Sequence, residues 1–295
     1  MSYAARLFVA LQWLLPKRWL SDFVGWLTRI EGGVATRLAI QTFIRIYGVD
    51  MRDAAEPDPA AYPSFNTFFT RALRHDARVF PDDTKVFVCP ADGTLSEFGT
   101  LAIDRLVQAK GIEYSLLELF DGDTTLAAIF EGGVFATIYL APYNYHRVHM
   151  PCDATARFVR HVPGELFSVN AVTAQAVPRL FARNERTITV FDAGPHKLAM
   201  IMVGALNVGS IELVLPYAEP VRNRPQSNIV PHLTVPQEGP ALPRGAEFGR
   251  FNMGSTVIVL GSQGWLTWQG SIRSGVRVRL GEPLAQVDSA DLDRR

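Results

Sequence analysis

The chain has 295 residues, 48% of them hydrophobic, and its 29 basic residues are balanced by 29 acidic ones. That apolar share excludes a disordered chain, and the absence of net charge excludes recruitment to nucleic acid by a global field. Two cysteines, Cys89 and Cys152, are too few for a disulfide framework and suit a reducing compartment.

Residues 3–30 read as a helix broken near Pro16, with Leu7, Leu11 and Leu14 on one face before the break and Leu20, Phe23, Val24 and Leu27 after it. A second helix runs from about Val34 to Tyr47. Its Ile40, Phe43, Ile44 and Tyr47 recur at helical spacing, with Arg37, Gln41 and Arg45 opposite. Over this stretch Arg6, Lys17, Arg18, Arg29, Arg37 and Arg45 face only Asp22, Glu31 and Asp50. Basic amphipathic helices bearing Trp13, Trp19 and Trp26 fit a protein lying in a membrane interface, and equally two helices packed on a core. The run from Leu7 to Leu15 is too short to cross a bilayer and lacks a signal-peptide cleavage site.

Residues 56–63 form a Pro-rich linker, dividing a helical membrane-associating region, 1–62, from a catalytic region, 63–295. Ser64 caps a short helix carrying Phe65, Phe68 and Phe69. After Pro81 the pattern changes to short strands, at 86–88, 125–130, 134–140, 157–161, 187–191, 198–203, 210–215, 256–260 and 276–280, with helical interludes at 115–119 and 171–181. The fold class predicted is α+β: N-terminal amphipathic helices, then a β-rich domain of antiparallel or mixed sheets. Residues 218–247, punctuated by prolines from Pro220 to Pro243, predict a long loop leading towards Ser255.

Three segments carry groups that could act together. Pro90-Ala91-Asp92-Gly93 holds a carboxylate in a tight turn. Tyr145-His146-Arg147-Val148-His149-Met150-Pro151 offers two imidazoles. Gly254-Ser255 sets a hydroxyl just after an unhindered carbonyl, at the start of a β-branched run. A serine needs a base to become a nucleophile, and the base needs an orienting acid. Such a serine can attack the peptide bond before it; but Gly209-Ser210 and Gly261-Ser262 are similar pairs, and turn chemistry suits all three. On a regular strand His146 and His149 would face opposite ways, so their cooperation requires a bend near Pro142 or Pro151. Three rivals share these residues: a serine hydrolase with an intact chain, a metal site from His146, His149 and Cys152, and a non-catalytic membrane-binding module.

Across the whole chain the blocks PADG (90–93), QAKG (108–111), YHRVHMP (145–151), PGELFSVN (163–170), LFARNER (180–186), VGSIE (208–212) and GRFNMGST (249–256) resemble the proteobacterial phosphatidylserine decarboxylases. One departure is Met253, where leucine is usual in that family; the two side chains are close in volume. The resemblance implies an Asp92-His149-Ser255 triad that cuts the chain after Gly254, giving a β chain, 1–254, and an α chain, 255–295. Ser255 becomes a pyruvoyl cofactor that forms a Schiff base with phosphatidylserine, and His146 is the candidate proton donor. The resemblance further implies a homodimer of such cut chains, peripheral on the cytoplasmic face of the inner membrane. For a diacyl substrate Phe65, Phe68, Phe69 and Phe167 are candidates to line an acyl path, with core packing the leading alternative for each.

Overall fold

The computed structural model describes residues 2–109, 111–206, 210–215, 221–222, 233–234, 239–252 and 255–288. Helix α1 (Tyr3–Leu14) is capped by the Ser2 hydroxyl, and Pro16 separates it from α2 (Lys17–Leu27). Helix α3 (Val34–Tyr47) stops at Gly48, whose left-handed conformation (φ 64°) ends the hydrogen-bond ladder. Ser64 and Thr67 form a reciprocal capping box on α4 (Phe65–Phe69), as the serine in that position predicts. Phe68 and Phe69 are buried with Ile40 of α3 and Val49, so the phenylalanine cluster packs α4 onto α3. Phe167 is also buried, edge-on to Trp13.

The strands follow: β1 (Val86–Val88), β2 (Gly93–Thr100) and the hairpin β3 (Arg105–Ala109) with β4 (Ile112–Ser115). Helices α5 (Leu116–Leu119) and α6 (Thr124–Phe130) lead to β5 (Val134–Leu140), β6 (Arg147–His149) and β7 (Ala154–Val162). After α7 (Ala171–Ala174) and α8 (Leu180–Arg183) come β8 (Arg186–Ala193), β9 (His196–Val203) and β10 (Ser210–Leu213). The remainder is β11 (Val221–Arg222), β12 (Leu233–Thr234), β13 (Ala241–Leu242), β14 (Glu247–Phe251), β15 (Ser255–Gly261), β16 (Leu266–Trp268), β17 (Val276–Val278) and β18 (Pro283–Val287).

Among the described residues the principal sheet has nine strands in the order β12-β7-β8-β9-β15-β5-β2-β17, with β13 also on β7. A second sheet runs β11-β10-β14-β6. Strand β15 lies in the middle of the principal sheet, antiparallel to β5 from Ser255↔Leu140 to Gly261↔Val134 and to β9 from Thr256↔Val203 to Gly261↔Leu198. Its alternate residues enter two different cores: Val257 and Val259 one, Ile258 and Leu260 the other. A strand buried on both faces reads as an unbroken apolar run, which is why 256–260 was legible.

Two expectations need correcting. Residues 125–130 form helix α6, not a strand: the Asp123 carboxylate accepts the Leu126 N–H at 3.0 Å and caps it. The loop expected over 218–247 falls largely outside the described residues. Where it is described, Ala241–Leu242 pairs with β7 and Glu247 opens β14, because the carbonyls between prolines still accept ladder hydrogen bonds.

Candidate active site

Strand β5 is antiparallel to both of its neighbours, so the strands beside it begin where it ends. Ser255, the first residue of β15, sits opposite Leu140, and Thr94 near the start of β2 sits opposite Tyr139. Asp92 and Ser255 therefore flank the end of β5, two inter-strand spacings or about 10 Å apart at the backbone. A Cβ on Gly93 would lie 2.5 Å from the Tyr139 carbonyl, so glycine is what lets this turn close onto β5.

Beyond Leu140 the chain bends and returns as β6. The Asn144 side chain accepts the Ala141 N–H at 2.8 Å, and the His146 ring holds the Ala141 carbonyl at 3.1 Å. Strand β6 pairs with β14, and the Phe251 N–H donates to the His146 carbonyl at 3.0 Å. The histidine strand thus lies beside the strand that runs into Ser255.

Ser255 is fully buried, and among the described residues its Oγ has no hydrogen-bond partner. Four strand threonines, Thr137, Thr187, Thr189 and Thr256, share that condition, but their β-branched shape suits a strand on its own account. Serine lacks that reason, and a buried orphan hydroxyl calls for another. A keto-acyl group made from this residue fits the position, since it would carry no hydroxyl donor to satisfy.

His149 Nδ1 lies 2.8 Å from the Gly245 carbonyl, which can only accept, so the proton sits on Nδ1. Nε2 is left as the acceptor and takes the Tyr145 hydroxyl at 2.9 Å. Burial lowers the His149 pKa, which keeps the ring neutral and basic at Nε2. Asp92 accepts the Leu280 N–H at 2.9 Å and Arg78 Nε at 3.1 Å, with a second, shorter contact to Arg78 Nη2. Arg78 also holds Asp53 at 2.7 Å. His146 is fully buried and stacked on Phe69 at 4.0 Å between ring centres; its Nε2 faces a carbonyl, leaving Nδ1 bare and without a partner. Burial and then the nearby Arg71 charge push its pKa down to about 3.

The fold therefore gathers Asp92, His146, His149 and Ser255 at one end of the sheet. No hydrogen bond joins Asp92 to His149 or His149 to Ser255: each is held by a different neighbour. Two cavities meet there, with Leu73, Arg78 and Tyr145 on both linings. One, of about 320 Å³, includes Asp92 and Gly93; the other, of about 570 Å³, includes His149, Gly245 and Glu247. Ser255 lines neither. Among the described residues no cluster of three or more His, Cys, Asp or Glu could hold a metal, so His146, His149 and Cys152 do not converge.

A family model described as phosphatidylserine decarboxylase matches residues 65–286, and a second, described as PSD, matches residues 7–48. The chain belongs to the phosphatidylserine decarboxylase family. Curated relatives named phosphatidylserine decarboxylase proenzyme include one from Klebsiella pneumoniae (strain 342), 47% identical over 96% of this chain and 88% of that protein. Others are from Citrobacter koseri, 46% identical over 94% and 86%, and Yersinia pestis, 45% identical over 95% and 96%. The decarboxylase match spans every candidate residue of the site. Sequence reasoning did not reach Arg78, Tyr145 and Gly245, the groups that hold Asp92 and His149. Tyr145 stands in the YHRVHMP block and was within reach, as a hydroxyl four residues from a histidine. Arg78 and Gly245 lie far along the chain from their partners and carry no local signal.

Proposed function

We propose that the chain is a proenzyme that cuts itself between Gly254 and Ser255 and then converts phosphatidylserine to phosphatidylethanolamine. The observation that carries this reading is Ser255 itself, a buried strand-initial serine with an unpartnered hydroxyl at the sheet end where Asp92 and His149 also lie. The relatives' names, which pair this decarboxylase with the word proenzyme, favour it over an intact-chain hydrolase.

In the cutting step His149 Nε2 takes the Ser255 Oγ proton once the Tyr145 hydroxyl turns away from it. Oγ bonds to the Gly254 carbonyl carbon while the bond from that carbon to the Ser255 nitrogen breaks, giving an ester. Loss of the Ser255 α-proton and of the Gly254 carboxylate then severs the chain, and water replaces the nitrogen, which departs as ammonia. Asp92 stabilises the protonated His149 at a distance, while Arg78 and the Leu280 N–H fix the carboxylate.

A pyruvoyl group at position 255 would supply a carbonyl that accepts the substrate amine and draws off the electron pair released with carbon dioxide. His146 Nδ1 takes a proton from the substrate ammonium and returns it to the α-carbon. The bare Nδ1 supports that role. The N-terminal helices lie in the membrane interface at the inner membrane's cytoplasmic face. Supporting this, Tyr3, Leu7, Leu11 and Leu14 are exposed along α1, as are Trp19, Phe23 and Trp26 on α2. No helix among the described residues is long and apolar enough to cross a membrane.

The test is a denaturing gel with intact mass of the wild type beside Ser255→Ala, and phosphatidylethanolamine assayed on both. Two wild-type chains, the smaller starting at position 255 with a blocked N-terminus, and one inert variant chain are expected. An active wild type that stays in one piece would overturn the reading.

A further inference from the structure

Two arginines are buried among the described residues, Arg71 and Arg186. Arg186 gives its guanidinium to the carbonyls of Leu119, Ala182, Asn184 and Glu118, at 2.6–3.1 Å. Among the described residues the Arg71 side chain has no hydrogen bond and no ion pair. Only 5% of it is exposed, its Nε is buried without a partner, and its guanidinium carbon lies 5.4 Å from the centre of the Phe68 ring. A buried guanidinium with no polar partner is unfavourable, so a position that keeps one is suited to an anion.

The Arg71 side chain lines the 320 Å³ cavity that also holds Asp92, Gly93 and Tyr145. Every carboxylate on that lining already has a cation: Asp53 and Asp92 share Arg78, and Asp50 is paired with Arg52. Exposed Arg277 and Arg279 add to the lining, so the cavity's uncompensated charge is positive. In the neighbouring cavity the larger cations are engaged, Arg147 by Glu247 and Arg244 by backbone carbonyls.

We propose that Arg71 is the specificity-determining residue for the lipid headgroup, taking its phosphodiester oxygens in a forked pair of charge-assisted hydrogen bonds. This rests on the substrate class proposed above. The headgroup offers two anions, and the chemistry chooses between them. The carboxylate gives up its charge as carbon dioxide leaves, so a buried cation bound to it would stabilise the ground state more than the transition state and slow the reaction. The phosphodiester keeps its charge throughout, and a cation bound to it positions the serine without opposing the bond cleavage. A planar fork also matches phosphate oxygens better than an ammonium does.

The test uses the full chain and a soluble headgroup that has the phosphodiester but no carboxylate, glycerophosphoethanolamine. It is titrated calorimetrically into uncut Ser255→Ala protein with and without Arg71→Gln or Arg71→Lys. It is also used as a competitor of dioctanoyl phosphatidylserine on the cut enzyme. Arg71→Gln is expected to weaken glycerophosphoethanolamine by about 100-fold, and Arg71→Lys, which keeps the charge but not the fork, by about 10-fold. Arg71→Gln is also expected to melt at or above the parent temperature, because it removes an unpaired buried charge; a structural arginine would do the reverse. Equal affinity in parent and Arg71→Lys, with KM for the lipid raised, would assign Arg71 to the carboxylate and overturn the proposal. Inorganic phosphate binding as tightly as glycerophosphoethanolamine would overturn it too, by making this a free-phosphate site. If the cut enzyme fails to decarboxylate the lipid, the functional reading falls while the titration still judges Arg71.

Discussion

Two sealed polar regions of this protein are built in opposite ways. Around the start of β8 the buried amide and guanidinium side chains of Gln108, Asn184 and Arg186 are saturated. Gln108 donates to the Ala174 and Val177 carbonyls and accepts the Leu180 N–H, all at 2.7–2.8 Å. Asn184 does the same with Phe167 and Gly204, and Arg186 with four carbonyls. At the end of β5 the opposite holds: Ser255 Oγ, His146 Nδ1 and Arg71 Nε are buried with nothing bonded to them. Both regions lie in or beside segments that carry the family resemblance. A shared motif therefore does not tell architecture from chemistry; the state of its hydrogen bonds does. The saturated amide and guanidinium groups tie loops together, and the three bare groups at the end of β5 are open to a reactant.

Substitution at His146 should separate the two regions most widely. His146→Gln is expected to reduce turnover by about 10²–10⁴-fold, the usual worth of a positioned proton-transfer group, while the chain is still cut. The same variant has a stability signature. Folded His146 has a pKa of about 3 against an ordinary 6.5, so between those values the unfolded chain holds more protons. Stability therefore rises with pH through that window and is lost as pH falls through it. Urea midpoints from pH 7 to pH 4 should fall less steeply in His146→Gln than in the wild type. Parallel slopes would mean that another group sets the acid response.

Next in size is Arg186→Met, which leaves four carbonyls without their donor inside the saturated region. A loss of about 3–5 kcal/mol in chemical denaturation is expected, against none for Arg71→Gln. Equal losses would erase the contrast between the two arginines. The smallest expected effect lies at the N-terminal helices, where high salt should leave the protein on anionic vesicles and detergent should lift it off. Burying each large apolar side chain contributes about 1.5–3 kcal/mol, more than the roughly 1 kcal/mol per basic residue that salt screens. Release by salt alone would make the exposed tryptophans bystanders.

Much of the fold was legible because its signals are local. The helices showed apolar spacing and a serine cap at Ser64, and β15 and β5 showed as β-branched runs. Segment 125–130 misled because Thr-Leu-Ala-Ala-Ile-Phe is too short for its period to decide between helix and strand, and the deciding residue, Asp123, lies outside the apolar run. Strand β14 was hidden behind prolines that belong to the preceding loop. The site divided along the same line. Asp92, His146, His149 and Ser255 stand in recognisable short segments, whereas Arg78 and Gly245 act on residues 14 and 96 positions away. Arg71 was invisible for another reason. In Phe-Phe-Thr-Arg-Ala-Leu-Arg an arginine reads as an ordinary surface charge, and only burial without a partner marks it out.

The central place of β15 has one more consequence. On the proposed maturation, the strand that begins at Ser255 becomes the head of a separate polypeptide while it is still zipped between β5 and β9. Before the cut, folding is a first-order event whose rate does not depend on concentration. After it, restoring the same sheet from denatured material is a second-order encounter between a long chain and a short one. The cut thus works as a ratchet: the sheet must assemble once, in the intact precursor, and the lifetime of the mature enzyme is then governed by how slowly that strand is let go.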